Sequence, residues 1–144
     1  MKARYPVFGK NKDHTPMKRI DSLIGAGTTL TGNIIFTGGL RIDGTVIGNV
    51  HASSGEASTL VVSEQARVEG EIRVSHLVIN GEVDGPVHAT DYLELQPKAR
   101  VKGDIHYLRL EMHVGAHVDG RLVVEVPAVS SVVELKRLTS GSAN

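Results

Sequence analysis

Along most of this chain apolar and polar residues alternate in short runs, and one five-residue pattern, apolar-x-Gly-x-apolar, keeps returning. It occurs as Leu30-Thr-Gly32-Asn-Ile34, Val46-Ile-Gly48-Asn-Val50, Val68-Glu-Gly70-Glu-Ile72, Val83-Asp-Gly85-Pro-Val87, Val101-Lys-Gly103-Asp-Ile105 and Val118-Asp-Gly120-Arg-Leu122, six copies in all. A period of two marks a strand with one buried face. The glycine falls on the apolar side of the alternation, where a missing side chain lets the wall turn or approach its neighbour closely. Successive glycines are 16, 22, 15, 18 and 17 residues apart. The long interval contains His51-Ala-Ser-Ser-Gly-Glu-Ala-Ser58, whose small polar residues predict an inserted loop. A second layer repeats in the same phase. Ile42-Asp-Gly44-Thr-Val46 and Ile79-Asn-Gly81-Glu-Val83 each lead into a copy of the unit, and Leu95 and Met112 begin the equivalent stretches further on.

A strand pair every ~17 residues, with no amphipathic helix between, cannot build a βαβ sheet but can build a coil. Rungs stacked ~4.8 Å apart would make six of them roughly 29 Å tall, a parallel β-solenoid in which each rung contacts mainly its neighbours. The register then predicts a column of Ile35, His51, Arg73, His88, His106 and Val123, the residues just after each unit. Its three histidines are either part of a solvated polar ladder or a metal or proton site. Glu111, His113, His117 and Asp119 share strand parity around Gly115. With no visible carboxylate partner or enclosed pocket they read as surface.

Composition agrees with many short strands. Val and Ile number 28 and Gly 16 among 144 residues, against five aromatics, which suits a core of small, branched side chains. The length allows one domain. With no Cys, disulfides, thiolate metal sites and cysteine nucleophiles are excluded, and a reducing compartment is expected. No apolar run is long enough to span a bilayer and the N-terminus lacks an apolar signal segment, so the expected location is cytoplasmic.

Charge divides the chain in three. Residues 1–20 hold six basic side chains and one acid, residues 21–126 hold eight basic and fourteen acidic ones, and residues 127–144 hold two basic and one acidic, for a net charge of zero. We expect a disordered basic N-terminal tail over 1–20, a β-helix domain over 21–126 and a flexible C-terminal tail over 127–144. In the first of these Lys2, Arg4, Tyr5, Phe8, Lys10 and Lys12 form a candidate membrane-binding segment, since each cation near an anionic surface contributes about 1 kcal/mol. An acidic body makes nucleic acid an unsuitable partner. No phosphate-binding Gly-x-x-x-x-Gly-Lys motif is present, and Gly25-Ala-Gly27 reads as a turn. Glu69, Glu71, Glu82, Asp84, Asp104 and Asp119 lie at outward positions of a convex coil, where they keep lateral faces apart or receive basic tails.

From Asp21 to Val124 the sequence resembles the bactofilins. The matching stretches are Ser22-Leu-Ile-Gly25 with Gly32 following, Leu40-Arg-Ile-Asp-Gly44-Thr-Val-Ile-Gly48-Asn-Val50, and Leu77-Val-Ile-Asn-Gly81-Glu-Val-Asp-Gly85. The resemblance implies a right-handed β-helix of about six rungs and triangular section that polymerises with itself into nonpolar filaments, using no nucleotide, metal or other cofactor. It also implies a non-enzymatic cytoskeletal role in bacteria, at the cytoplasmic face of the inner membrane, as a scaffold for cell-shape factors and cell-wall-modifying enzymes. The rival is a left-handed hexapeptide acyltransferase. Apolar residues recur at sixes in Leu30, Phe36 and Ile42, in Val62, Val68 and Val74, and in Met112, Val118 and Val124, but Gly48 and Asn80 break the rhythm. Its catalytic base would be His76, His88 or His106.

A solenoid leaves its first and last rungs with unpaired backbone groups and an open core unless capping units cover them. No amphipathic helix precedes Leu30 or follows Val126, although Val129–Leu138 could fold back. The ends are therefore expected to bind each other, and the resemblance implies that like meets like, which gives an unpolarised filament. Candidate contacts are Leu23, Ile24, Leu30 and Phe36 at the N-terminal end and Leu110, Met112, Leu122 and Val124 at the C-terminal end.

Overall fold

The computed structural model describes residues 20–53 and 55–126. They form fifteen β-strands, all paired in parallel, and no helix. The chain winds through six turns, each with three short strands that build three flat faces of a triangular coil. The first face stacks Ser22–Ile24, Gly39–Ile42 and Thr59–Val62, then the C-terminal parts of Ile72–Ile79, Val87–Leu95 and Ile105–Met112. The second stacks Thr29–Thr31, Thr45–Ile47, Arg67–Glu69, Glu82–Asp84, Arg100–Lys102 and His117–Asp119. Ile34–Phe36, Val50–Ala52, the N-terminal parts of the three long strands, and Leu122–Val124 make the third. Two of each turn's three strands are those of the repeating unit, and the strand on the first face is an addition to the predicted pair.

Each face sends every other residue inward, so the core is a set of columns. Leu40, Leu60, Leu77, Leu93 and Leu110 stack along the first face, as do Ile24, Ile42, Val62, Ile79, Leu95 and Met112 beside them. Leu30, Val46, Val68, Val83, Val101 and Val118 line the second. Most interior members are wholly buried. On the third face a bulky Phe36 lies beneath Ala52, and Tyr107 lies between Ala89 and Val124, so large and small residues alternate to keep rung spacing even.

Two of the three corners carry glycine, for steric reasons. Between the second and third faces Gly32, Gly48, Gly70, Gly85, Gly103 and Gly120 occupy successive turns. A Cβ on Gly70 would lie 2.1 Å from the carbonyl oxygen of Gly48, and one on Gly48 2.0 Å from that of Gly32. Next to them, Asn33 Oδ1 accepts from the Asn49 N–H and Asn49 Oδ1 from the Glu71 N–H, both at 2.9 Å, tying rung to rung. The corner between the first and second faces has two sizes. Four-residue turns span Gly25–Thr28, Ser63–Ala66, Gln96–Ala99 and His113–Ala116, each closed by a backbone hydrogen bond, whereas Asp43-Gly44 and Asn80-Gly81 turn in two. Rung length varies because corner length does: across this corner inward residues are six apart over a four-residue turn, as from Val62 to Val68, but four apart over a two-residue one, as from Ile42 to Val46, which breaks the hexapeptide rhythm.

The third corner has no glycine rule. Strands run through it with a single bent residue at Ser75, with register shifts at Val74/His76 and Ala89/Tyr92. In one turn it holds the predicted loop, which starts later than expected, because His51 and Ala52 complete the strand Val50–Ala52 and the loop separates Ala52 from Thr59.

Candidate assembly ends and surface clusters

The last turn presents its inward columns to solvent. Met112, Leu122 and Val124 are 44, 42 and 54% exposed, while the residues stacked on them in the preceding turn, Leu95 and Ile105, are wholly buried and Tyr107 is half-buried. Leu110 and Val118 are half-buried beside them. Val114, in the neighbouring corner, and Val126 add exposed apolar surface at the same end that the sequence did not single out. At the N-terminal end Ile24, Leu30 and Ile34 are half-buried inward residues. Phe36 is buried at 8% exposure, and it belongs to the core. Leu23 is exposed, but it occupies the outward column that continues through Arg41, Val61, Val78, Glu94 and Glu111, so it looks sideways and not along the axis. Lys2, Arg4, Tyr5, Phe8, Lys10 and Lys12 lie outside the described residues, as does Val129–Leu138. Among the described residues no helix is long and apolar enough to cross a membrane.

The predicted polar column is present in full. Ile35 pairs with His51, His51 with Arg73, Arg73 with His88, His88 with His106 and His106 with Val123. Two acids join it. Glu71 takes an ion pair from Arg73 at 2.7 Å and lies 3.3 Å from His88 Nε2 and 3.6 Å from His51 Nε2, and Glu125 lies 3.0 Å from His106 Nδ1. Burial, then the neighbouring Arg73 and His106, lower the pKa of His88 and favour its neutral form.

A second cluster corrects the reading of His113 and Glu111 as unpartnered. Glu94, one rung below, supplies the missing carboxylate, with His113 Nε2 3.0 Å from Glu94 and 3.5 Å from Glu111. Tyr92 donates to Glu111 at 2.6 Å, which pushes its own pKa up to about 12. His117 and Asp119 belong to a different face, in the second-face columns of Arg100 and Lys102. The outward acids are mostly paired within the coil. Arg67 spans Glu69 and Glu82, and Arg121 holds Asp104, whose carboxyl stays below the ordinary aspartate range through the side-chain and backbone hydrogen bonds from Arg121.

A Ser75–His76–Asp91 row, with steps of 3.2 and 3.1 Å, has the order of a nucleophile relay. Its hydroxyl is committed elsewhere: Ser75 Oγ donates to the Ser58 carbonyl at 2.8 Å and accepts from the Ser58 N–H at 2.7 Å. The row is a clasp between rungs. Of the three histidines considered as an acyltransfer base, His76 faces Asp91, His88 faces Glu71 and His106 faces Glu125.

Among the described residues, a convex solenoid without helix whose last turn exposes its apolar columns has the anatomy of a protein that works by presenting ends and faces to other chains. The Bactofilin family profile, described as polymer-forming cytoskeletal, matches residues 22–123. Bactofilin BacO of Myxococcus xanthus is 30% identical over 118 residues, 78% of this chain and 90% of that protein. Bactofilin BacP of the same organism is 29% identical over 133 residues, 85% of this chain but only 54% of that protein, so the chain spans about half the length of BacP. The solenoid also superposes on a cryo-EM reconstruction of Thermus thermophilus bactofilin double helical filaments, with a TM-score of 0.59 and 32% identity over 72% of this chain and 99% of that one. The chain belongs to the bactofilin family of polymer-forming cytoskeletal proteins.

Proposed function

We propose that this chain is a non-enzymatic filament subunit that joins end to end through its first and last turns, without nucleotide, and serves as a membrane-associated scaffold for factors that set cell shape or remodel the cell wall. The observation that carries the reading is the last turn, where Met112, Leu122 and Val124 continue buried columns yet stand open to solvent. Among the described residues no further strand pairs with this turn, and an apolar surface framed by strand edges is satisfied by a matching rung of another subunit. Contacts between like ends make the filament unpolarised. The filament form of the T. thermophilus relative supports the same use of this fold. The basic segment holding Lys2, Arg4, Lys10 and Lys12 with Tyr5 and Phe8 supplies the membrane affinity.

Negative-stain microscopy of the purified chain, free of nucleotide and divalent metal, tests the assembly. The wild type forms filaments, and Leu122→Arg and Val124→Arg each leave monomers or dimers that keep a β-rich circular dichroism spectrum. Removing one buried Leu-sized contact costs about 1.5–3 kcal/mol before the charge penalty is added, enough to dissolve a contact of moderate strength. Filaments of normal length from both variants would overturn the end assignment.

A further inference from the structure

We propose that His88, His106 and Glu125 form a site for a divalent transition cation of the Zn(II) class on the third face. Their ligand atoms lie within 4.8 Å of one another; the two histidines come from consecutive turns of the coil and Glu125 from just past the strand that ends the next. Strict parallel register puts the two imidazoles one above the other, with ring centroids 4.5 Å apart and planes 7° from parallel. Binding one ion through both nitrogens requires the rings to turn out of this stack, so occupancy should break the near-parallel arrangement.

Two histidine nitrogens of this column are buried without a hydrogen-bond partner among the described residues, His51 Nε2 and His106 Nδ1, and the second lies within reach of two further ligand groups. Glu125 Oε2 is only 3.0 Å from His106 Nδ1, but out of line for a hydrogen bond. A buried nitrogen left in this state is uncommon and costly. An ion shared by that nitrogen and the carboxylate removes the anomaly. Glu125 is free to serve, because among the described residues it has no lysine or arginine partner, whereas Glu71 on the other flank of His88 is already engaged by Arg73.

Two imidazoles and one carboxylate suit a borderline ion such as Zn(II), with a fourth position left for water. The ion would tie Glu125 at the end of the coil to the two turns beneath it. The second cluster, Glu94, Glu111 and His113, has a weaker claim, because His113 Nε2 already makes a hydrogen bond to Glu94.

The test uses the full chain, stripped with chelator and titrated with Co(II), followed by its visible absorption and by Zn(II) competition. We expect one ion per chain, displaced by Zn(II), with affinity lowered about tenfold or more in His106→Gln and in Glu125→Gln, and unchanged in His113→Gln. Zn(II) should also raise the melting temperature of the wild type and leave that of His106→Gln where it was. Circular dichroism establishes that each variant is folded, and the two single-residue variants fail independently if either misfolds. Absence of saturable binding, wild-type titration by both variants, or loss of the signal in His113→Gln alone would each overturn the proposal.

Discussion

Gly70 shows how little freedom the corner positions have. Its backbone sits at φ 153°, and a methyl group there would overlap the Gly48 carbonyl oxygen in the turn below. The neighbour is backbone held in a ladder, so it cannot yield without moving the rung. Gly70→Ala should cost about 3 kcal/mol, seen as a melting temperature lowered by about 10 °C in the Leu122→Arg background, where assembly does not mask subunit stability. Gly27→Ala is the control, because a Cβ at Gly27 meets nothing within 4 Å, and it should melt within a degree or two of its parent. Equal losses at both positions would mean that backbone entropy, and not close approach, explains the recurring glycine. These glycines were legible as a repeat for this reason: a steric rule applied once per turn leaves an unbroken trace in the sequence.

Among strands, stacking makes the centre and the end of one column unequal. Leu77 is wholly buried between Leu60 and Leu93, whereas Leu110 has Leu93 on one side only. Leu77→Ala should destabilise the unassembled subunit by about 3 kcal/mol, within the range for large-to-small core changes, and Leu110→Ala by less than half as much, measured by urea unfolding. Equal costs would show that the last turn is closed by something other than its own strands. The two glycine corners announced themselves, and the polar column followed from their phase, residue for residue. The strand on the first face did not, because the corner that introduces it turns at Ser75, Thr90-Asp91 or Leu108 with no shared residue type. Leu23 was misplaced by that same gap. Without the corner, inward and outward positions of Ser22–Ile24 could not be told apart, and an exposed sideways leucine was grouped with inward residues of the first turn. Glu94 and Glu125 were missed as partners of His113 and His106 because each lies across a turn from its histidine, at a distance that only the corner lengths determine.

At the level of the molecule, charge and apolar surface are separated: basic residues in positions 1–20, acids on the coil, and uncovered apolar columns at its last turn. A single basic segment binds an anionic surface weakly, but subunits held in one polymer present many at once, and avidity multiplies their effect. Deleting residues 2–12 should therefore abolish co-sedimentation of polymers with anionic liposomes while leaving polymerisation intact. The full chain reduced to monomers or dimers by Leu122→Arg should bind the same liposomes at least tenfold less than the polymer does. Unchanged co-sedimentation after the deletion would place the membrane contact elsewhere.

The unruled third corner has a practical consequence. It passes through one residue at Ser75 and six between Ala52 and Thr59, yet the columns on either side stay in register, with Val62 over Ile42 and beneath Ile79. The coil thus already absorbs a bulge of foreign length there, on its flank and clear of both ends. That makes residues 53–58 the natural place to graft a fluorescent tag or an affinity peptide, one that would report on a growing polymer without blocking its growth.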